Sequence, residues 1–175
     1  QRLKWYGLFL RNPTPGFFML RVRIPSGFSF AHQVRVLASI AETYGNGVID
    51  ITTRQQVQLR YLKIENIPKI FNLLEEIGLT TSQTGMDNVR NIMGCPISGL
   101  SPKEKVDAYS LVKKLNAHIV GNPEFSNLPR KFNITLSGCP DDCVHAETQD
   151  LALVPAVQEK VVTRFMASIF WWEES

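Results

Sequence analysis

The 175-residue sequence lacks several features that would point to a membrane or secreted protein. No apolar run approaches the roughly 20 residues of a membrane-spanning helix, and the charged, aromatic opening does not resemble a signal peptide. Cysteine is scarce, and its odd number, three, argues against a secreted disulfide scaffold and favours a reducing, cytosol-like compartment. The chain also lacks an initiator methionine, so we expect it to be a piece of a longer or processed protein.

Strong charge and internal repeats are absent as well. The formal net charge is only +3, whereas nucleic-acid binders usually concentrate basic residues on one face. This balance permits an anionic ligand without requiring nucleic acid. With 44% hydrophobic and 20% charged residues, the composition is that of an ordinary globular protein, long enough for one domain or two small ones.

Residues 15–84 carry a pattern of strands and helices that is typical of a ferredoxin-like fold. The strands are predicted from alternating apolar residues, as in FFMLRVRI, where Arg21 and Arg23 take the polar face. The predicted elements are a strand over 17–24, a helix over 31–44 with the apolar stripe Val34, Leu37, Ala41 and Tyr44, strands over 48–52 and 54–64, a helix capped by Asn66 and ended by Gly78, and a strand over 79–84. We therefore expect an α+β sandwich of order β-α-β-β-α-β.

The sequence after residue 84 predicts two polar loops, one helix and short strands. Ser101-Pro102-Lys103-Glu104 has the form of a capping box with proline at the first helical position, which predicts a helix to about Ile119. The loops cover 85–99 and 121–129. Phe132, Ile134 and Leu136 then form a strand-like run, and Leu151–Val154 is a buried strand that Pro155 is expected to close.

Alternation in TTRQQVQLR places four polar side chains on one face of the predicted strand. These are Arg54, Gln56, Gln58 and Arg60. The simpler interpretation is a solvated strand face. The alternative is a wall of fixed donors for a polyanion, because arginine binds carboxylates through two parallel hydrogen bonds and keeps its charge.

Two further groups of cations extend this pattern. Arg90 lies in a loop, in Asp87-Asn88-Val89-Arg90-Asn91, and Arg130 and Lys131 precede the strand-like run. Taken alone, Arg90 is an ordinary loop arginine. Three groups of cations in or beside predicted elements favour one anionic pocket, although their spacing does not show that they converge.

The three cysteines leave several kinds of site open. An iron–sulfur cluster with four cysteine ligands needs one thiolate more than Cys95, Cys139 and Cys143 supply. Zinc could take these three and His145, yet Cys-x3-Cys-x-His matches no common zinc module, and buried cysteines without a ligand are an equal alternative. His145 and Glu147 could act as a proton-transfer pair, or His145 could be structural.

Several motifs of the sequence, in the order in which they occur, resemble those of a known family. The chain resembles the N-terminal half of ferredoxin-dependent nitrite reductases, members of the sirohaem nitrite and sulfite reductases, over about residues 4–158. The matching stretches are Trp5-Tyr6-Gly7-Leu8-Phe9, residues 15–23, Thr52-Thr53-Arg54-Gln55, residues 87–91, residues 127–133 and His145-Ala146-Glu147.

The resemblance implies an enzyme with two similar halves that reduces nitrite to ammonia with six electrons from ferredoxin. It implies sirohaem bridged to a [4Fe–4S] cluster whose cysteine ligands lie in the C-terminal half, absent from this chain. Residues 1–84 would be the ferredoxin-like half domain and residues 85–160 the start of the sirohaem domain. We expect no nucleic-acid or membrane partner, and a location in the cytoplasm or, in a eukaryote, the plastid stroma.

Carried over residue by residue, the resemblance implies a set of site residues. Arg54, Arg90 and Lys131 would be catalytic, with Lys131 as the proton donor. The same three would bind the sirohaem together with Arg130, Arg60 and Asn133. The sulfite branch has a second lysine at position 133, so Asn133 favours the singly charged nitrite over sulfite.

Two departures from the family pattern stand out. Cys139 and Cys143 resemble an echo, left by duplication, of a cluster cysteine pair, so we assign no metal ligand in this chain. From residue 161 the match fails, and residues 161–175 resemble an altered reading frame or artificial end with two exposed tryptophans.

We expect the enzyme fragment to be inactive alone. Two other classes of protein stay open as alternatives. The order β-α-β-β-α-β also describes an RNA-binding module, but only Tyr61 offers an aromatic ring on the relevant strand. The other class is a small Cys/His metal-binding protein.

Overall fold

A computed structural model of the chain describes residues 2–158 and 161–169, with side chains over 2–155. Its helices are α1 (Arg2–Trp5), α2 (Ala31–Tyr44), α3 (Ile67–Glu76) and α4 (Ala108–Ile119). Its strands are β1 (Leu8–Leu10), β2 (Phe18–Val22), β3 (Ile49–Ile51), β4 (Val57–Leu62), β5 (Met93–Gly94), β6 (Ile134–Leu136), β7 (Leu151–Gln158) and β8 (Val161–Ile169). Among these residues, none of the helices combines the length and apolar character that crossing a membrane requires.

The first sheet is antiparallel, in the order β1-β2-β4-β3. Helices α2 and α3 supply Leu37, Ile40, Ile70 and Leu74 to a core that also includes the inward side chains of the strands, such as Leu20. Burying these apolar side chains stabilises the layers by about 1.5–3 kcal/mol for each fully buried residue. The predicted α+β class and the ferredoxin-like half domain are confirmed, although one predicted strand is not formed.

The predicted strand over 79–84 is wrong. Only Thr80 pairs, through a single antiparallel bridge to Arg23. The reason is that β1, which the sequence did not predict, already pairs with this edge of β2 at Leu8–Leu20 and Leu10–Phe18. Only the C-terminal end of this edge of β2 is left for Thr80 to pair with.

The bounds of α2 and α3 agree with the prediction better than the predicted apolar stripe of α2 and the predicted cap of α3. α2 begins and ends where the periodicity placed it, but Val34 is 50% exposed while Ile40 is buried. Asn66 is not a cap, because it has helical backbone angles and follows a 3-10 turn directly into α3. Gly78, at φ +69°, ends α3 as predicted, and the N–H of Leu79 donates to the Leu74 carbonyl.

The second sheet has the order β5-β6-β7-β8, with the first three strands parallel and β8 antiparallel to β7. α4 packs on this sheet through Ala108, Val112 and Ile119. Pro155 does not close β7, which continues to Gln158 and stays paired with β8 across a register shift between Ala156 and Val157.

The predicted capping box does not begin α4. Glu104 instead accepts hydrogen bonds from the Ser98 hydroxyl and the Gly99 N–H, so its carboxylate stabilises a turn. The helix begins seven residues after Ser101, where the Asp107 carboxylate accepts the N–H of Ser110.

The chain beyond Lys160 is described only in part. Residues 161–169 form β8, whereas residues 159–160 and 170–175, with both tryptophans of the predicted exposed patch, lie outside the described residues. The assignment of residues 161–175 as an aberrant tail stays a prediction.

Arg23 joins the two cores. Alternation predicted it on a polar face, but it is 1% exposed. One terminal nitrogen donates to the Arg90 carbonyl at 3.0 Å and the Asn116 side chain at 3.4 Å. The other donates to the carbonyls of Gln83 at 3.1 Å and Val89 at 2.9 Å. Burial, and secondarily Arg90, lower the pKa of Arg23 to about 10, so it stays charged at neutral pH.

Candidate functional site

Three guanidinium groups, those of Arg21, Arg54 and Arg90, lie close together where the two cores meet. We call them the guanidinium cluster. Arg21 Nη1 and Arg90 Nη1 both donate to the Thr84 carbonyl, at 3.2 Å and 2.5 Å. Arg90 Nη2 donates to the Met86 carbonyl at 2.6 Å. Backbone carbonyls thus fix two of the three groups.

The electrostatics of the guanidinium cluster show mutual repulsion. Burial, and then the charges of Arg90 and Arg54, lower the pKa of Arg21 to about 10. Burial also lowers the pKa of Arg90, and so does Arg54, whereas Asp87 acts in the opposite direction. Like charges held together in this way are typical of functional sites.

The cluster has spare hydrogen-bonding capacity. In each of its arginines the Nε–H is buried without an acceptor, and among the described side chains none of the three takes part in a salt bridge. The guanidinium of Arg21 also lies 4.9 Å from the centre of the Phe9 ring. Cations that no carboxylate neutralises favour an anionic ligand.

Arg54 reaches the cluster from a tight turn rather than a strand. Thr52 closes the turn, because its hydroxyl accepts the N–H of Gln56. The Gln55 side chain then bonds both backbone groups of Gly94, donating at 2.7 Å and accepting at 3.0 Å. Asn91 donates to the Arg54 carbonyl at 2.8 Å.

The four-residue polar wall predicted over 54–60 is therefore wrong. β4 begins only at Val57, so strand alternation does not apply to Arg54. Gln56 is fully buried. Arg60 lies on β4, and its guanidinium is paired with the Asp50 carboxylate of β3.

Gln55→Ala should lower the free energy of unfolding by about 2 kcal/mol, because two hydrogen bonds to Gly94 are lost at roughly 1 kcal/mol each. Urea denaturation followed by circular dichroism would measure the change. Gln58→Ala on β4 is the matched control, and we expect a change within about 0.5 kcal/mol there. Equal losses in the two variants would contradict the role given to Gln55.

A cleft of about 370 Å³ opens beside Arg54. Its lining includes Arg54, Gly94, Asn133, Cys143, His145 and Gln149. The Asn133 amide donates to Asp150 Oδ2 at 2.9 Å, and its own Oδ1 is buried without a donor. The cleft thus joins one arginine of the cluster to two polar residues that the sequence singled out.

Arg130 and Lys131 are brought to the site by the backbone. The N–H of Arg90 donates to the Phe132 carbonyl at 2.8 Å, and the N–H of Phe132 donates to the Asn88 carbonyl at 3.2 Å. Phe132 packs into the second core. The side chains of Arg130 and Lys131 are exposed, so the pairing brings only their backbone close to that of Arg90.

The structure also brings the three cysteines together. The Sγ atoms of Cys95, Cys139 and Cys143 lie within 4.8 Å of one another; Cys95 and Cys139 are buried and Cys143 is exposed. We call them the thiol triad. Of the zinc ligands considered, His145 is not a member of this group. A [4Fe–4S] cluster takes four thiolates, so the chain's three cysteines do not complete its ligand set.

The sequence allows His145 to be either a structural residue or a proton-transfer partner of Glu147. His145 and Glu147 are both exposed, and no hydrogen bond joins them among the described contacts. His145 instead has a left-handed backbone conformation, with φ at 51°, and its carbonyl accepts the Thr148 hydroxyl at 2.9 Å.

Arg21 is the member of the site that the sequence did not single out. The only signal was its place on the polar face of the first predicted strand, which Arg23 shared. Tyr61, on which an RNA-binding function depended, packs edge-on against Phe17 with ring centres 6.0 Å apart.

A larger groove of about 870 Å³ lies on the other side of Gln55. Its walls are mainly apolar, with Phe28, Val34, Ile51 and Tyr109 among them, and no lysine or arginine lines it. It suits an anion poorly, and we centre the candidate site on the guanidinium cluster.

Comparisons with known proteins match nearly the whole chain. The family described as "Nitrite/Sulfite reductase ferredoxin-like half domain" matches residues 11–77, and "Nitrite and sulphite reductase 4Fe-4S domain" matches residues 85–166. The domain boundaries at residues 84 and 160 stay predictions.

Relatives and solved structures agree with this match. The ferredoxin–nitrite reductase of Leptolyngbya laminosa is 52% identical over 163 residues, which cover 90% of this chain and 32% of the relative. The chloroplastic enzyme of rice is 44% identical, covering 90% and 27%. The NirA protein of Mycobacterium tuberculosis superimposes with a TM-score of 0.87 at 28% identity, over 96% of this chain and 33% of that one. The chain spans about a third of the length of these proteins.

Proposed function

The chain belongs to the nitrite and sulphite reductases, and from this premise we propose that it forms part of a ferredoxin-dependent nitrite reductase. Its task there is to supply the cations that bind an anionic cofactor and an anionic substrate. The observation that carries the proposal is the guanidinium cluster, because its like charges lower one another's pKa and a bound anion would relieve this repulsion.

The cluster fits sirohaem, a tetrapyrrole with several carboxylates. A guanidinium holds a carboxylate through parallel hydrogen bonds, and among the described side chains no salt bridge neutralises any of the three arginines. When bound, sirohaem supplies the iron at which nitrite is reduced to ammonia, with electrons that pass from ferredoxin through a [4Fe–4S] cluster. This chain has three cysteines, one fewer than that cluster needs. We therefore propose that the ligands of the cluster come from the two thirds of the enzyme that the chain does not match.

We propose separate roles for the site residues. Arg54 and Arg90 hold the anions and stabilise the charge that develops on the nitrite oxygens. Lys131, whose side chain is exposed, delivers protons. Arg130 extends the cationic rim. Arg60 binds a sirohaem carboxylate only if it exchanges its present partner, Asp50.

Asn133 bears on the choice of anion. Its amide donates to the Asp150 carboxylate, so no positive charge is added to the cleft at this position. Fewer cations suit singly charged nitrite better than doubly charged sulfite. We propose nitrite as the substrate, and sulfite as the second candidate.

We also propose a location in the cytoplasm or, in a eukaryote, the plastid stroma. The relative from rice is named chloroplastic, which supports the second location.

A chimaera tests the proposal. The chain would replace the matching third of the Leptolyngbya laminosa enzyme, which is 52% identical to it. We expect the chimaera to bind sirohaem and to form ammonia from nitrite with reduced ferredoxin. A folded chimaera that binds sirohaem but reduces sulfite in preference would favour the second candidate, and one that reduces neither anion would contradict the proposal.

The chain alone should form no ammonia when it is incubated with sirohaem, nitrite and a reduced donor. The physical reason is that its three cysteines do not complete the ligand set of the electron-carrying cluster. An ammonia assay, with the chimaera as the positive control, measures this directly. Ammonia formation by the chain alone would contradict the proposal that the cluster ligands come from the rest of the enzyme.

A further inference from the structure

The thiol triad has no part in the function proposed above, yet its geometry is that of a metal site. Cys95 follows β5 directly, and Cys139 and Cys143 lie in the loop after β6. Since β5 and β6 are parallel neighbours, their carboxyl ends lie at the same edge of the sheet. We propose that the thiol triad binds a single thiophilic divalent ion, such as zinc, in this chain.

The sulfur separations favour one ion over a cluster. Zinc–sulfur bonds of about 2.3 Å around a tetrahedral ion put the sulfurs about 3.8 Å apart. The Sγ atoms already lie within 4.8 Å of one another, so a closure of roughly 1 Å brings them onto one ion. In a four-iron cluster each thiolate binds a different iron, which holds the sulfurs farther apart, and a fourth thiolate is needed.

The loop that carries two of the thiols is held in place. The Ser137 hydroxyl donates to the Cys139 carbonyl at 2.7 Å and accepts the N–H of Cys139 at 3.3 Å. Ser137 is itself fully buried. Such contacts around a ligand limit the rearrangement that binding requires. Because Cys143 is exposed, one side of the ion would face solvent and take a water as fourth ligand.

A cation lies close to the thiol triad. The Lys103 ammonium bonds the Asp141 carboxylate at 3.0 Å, and Asp141 lies between Cys139 and Cys143 in the sequence. A nearby positive charge favours the thiolate form that a metal binds.

The test is a titration of the reduced, metal-stripped 175-residue chain with Co²⁺, followed by displacement with Zn²⁺. We expect one cobalt ion per chain and a thiolate-to-cobalt absorption band that zinc removes. Each of the variants Cys95→Ser, Cys139→Ser and Cys143→Ser should weaken cobalt binding by at least about 100-fold, beyond the effect of changing an outer contact. His118→Ala, on α4, is the control and should bind cobalt as the unmodified chain does.

A second measurement needs no variant. One equivalent of Zn²⁺ should slow the alkylation of exposed Cys143 by iodoacetamide at least tenfold, in line with the loss of free thiolate. An unchanged alkylation rate, or the absence of a cobalt band, would overturn the proposal. So would uptake of four irons per chain on anaerobic treatment with iron and sulfide. None of these results depends on whether the chimaera reduces nitrite.

Discussion

Replacing Arg23 by methionine is expected to lower the free energy of unfolding by about 3 kcal/mol. The change removes the donors to three buried carbonyls, at a cost of roughly 1–3 kcal/mol each. Part of this cost is offset because the variant no longer buries a charge. Those carbonyls belong to Gln83, Val89 and Arg90. Methionine keeps most of the apolar stem, so the change isolates the hydrogen bonds. A loss of this size is a large fraction of the roughly 5–15 kcal/mol that stabilises a typical domain.

Urea denaturation measures the change, with Arg35→Met as the matched control. Arg35 is exposed on α2, and its replacement should alter the stability by no more than about 0.5 kcal/mol. Arg23→Lys should recover only part of the loss, because one ammonium cannot reproduce the fork of the guanidinium. If Arg23→Met were as stable as the control, Arg23 would not be the link between the two cores.

Replacing Arg54 or Arg90 by alanine in the chimaera is expected to lower kcat/KM for nitrite by about 10²–10³-fold, the effect of removing one fixed donor to a developing negative charge. Two backbone carbonyls hold the guanidinium of Arg90, and a turn holds the backbone of Arg54, whose carbonyl accepts from Asn91. Steady-state kinetics with reduced ferredoxin would measure the loss, and Arg35→Ala is again the control. Arg54→Lys should restore only part of the rate.

Arg54→Ala and Arg90→Ala should differ in stability. Arg90 donates to the carbonyls of Thr84 and Met86, so its removal also loosens the loop that carries it. For Arg54 no side-chain hydrogen bond of this kind is described. A loss of activity in Arg54→Ala with unchanged urea denaturation would therefore assign the effect to the anion rather than to folding.

The sequence predicts the architecture well where the signal is local. The periodicity of apolar residues and the glycine after Tyr44 predict both ends of α2. The order of elements predicts three of the four strands of the first sheet, β2, β3 and β4. The three-residue strand β1 was missed because it is too short for alternation to show, and the position of β1 is what leaves Thr80 with a single bridge.

Details of the site depend on contacts between distant residues. Strand alternation put Arg54 on β4, but the bonds from Gln55 to Gly94 hold it in a turn. Arg21 joins Arg90 only because both reach the Thr84 carbonyl. Spacing showed Cys139 and Cys143 as a pair, whereas Cys95 joins them through the parallel pairing of β5 and β6. Motif resemblance identified the family, yet only the fold shows which cations converge.

The central claim, that the guanidinium cluster binds the anionic cofactor, is tested most directly by the dissociation constant of sirohaem. Apo-chimaera and its Arg21→Gln, Arg54→Gln, Arg90→Gln triple variant would be titrated with sirohaem at low salt and followed by absorbance. Hydrogen bonds to charged groups contribute about 1.5–3 kcal/mol each, so we predict at least about 100-fold weaker binding by the variant and no change in Arg35→Gln. Equal affinity of the triple variant and the unmodified chimaera would contradict the account.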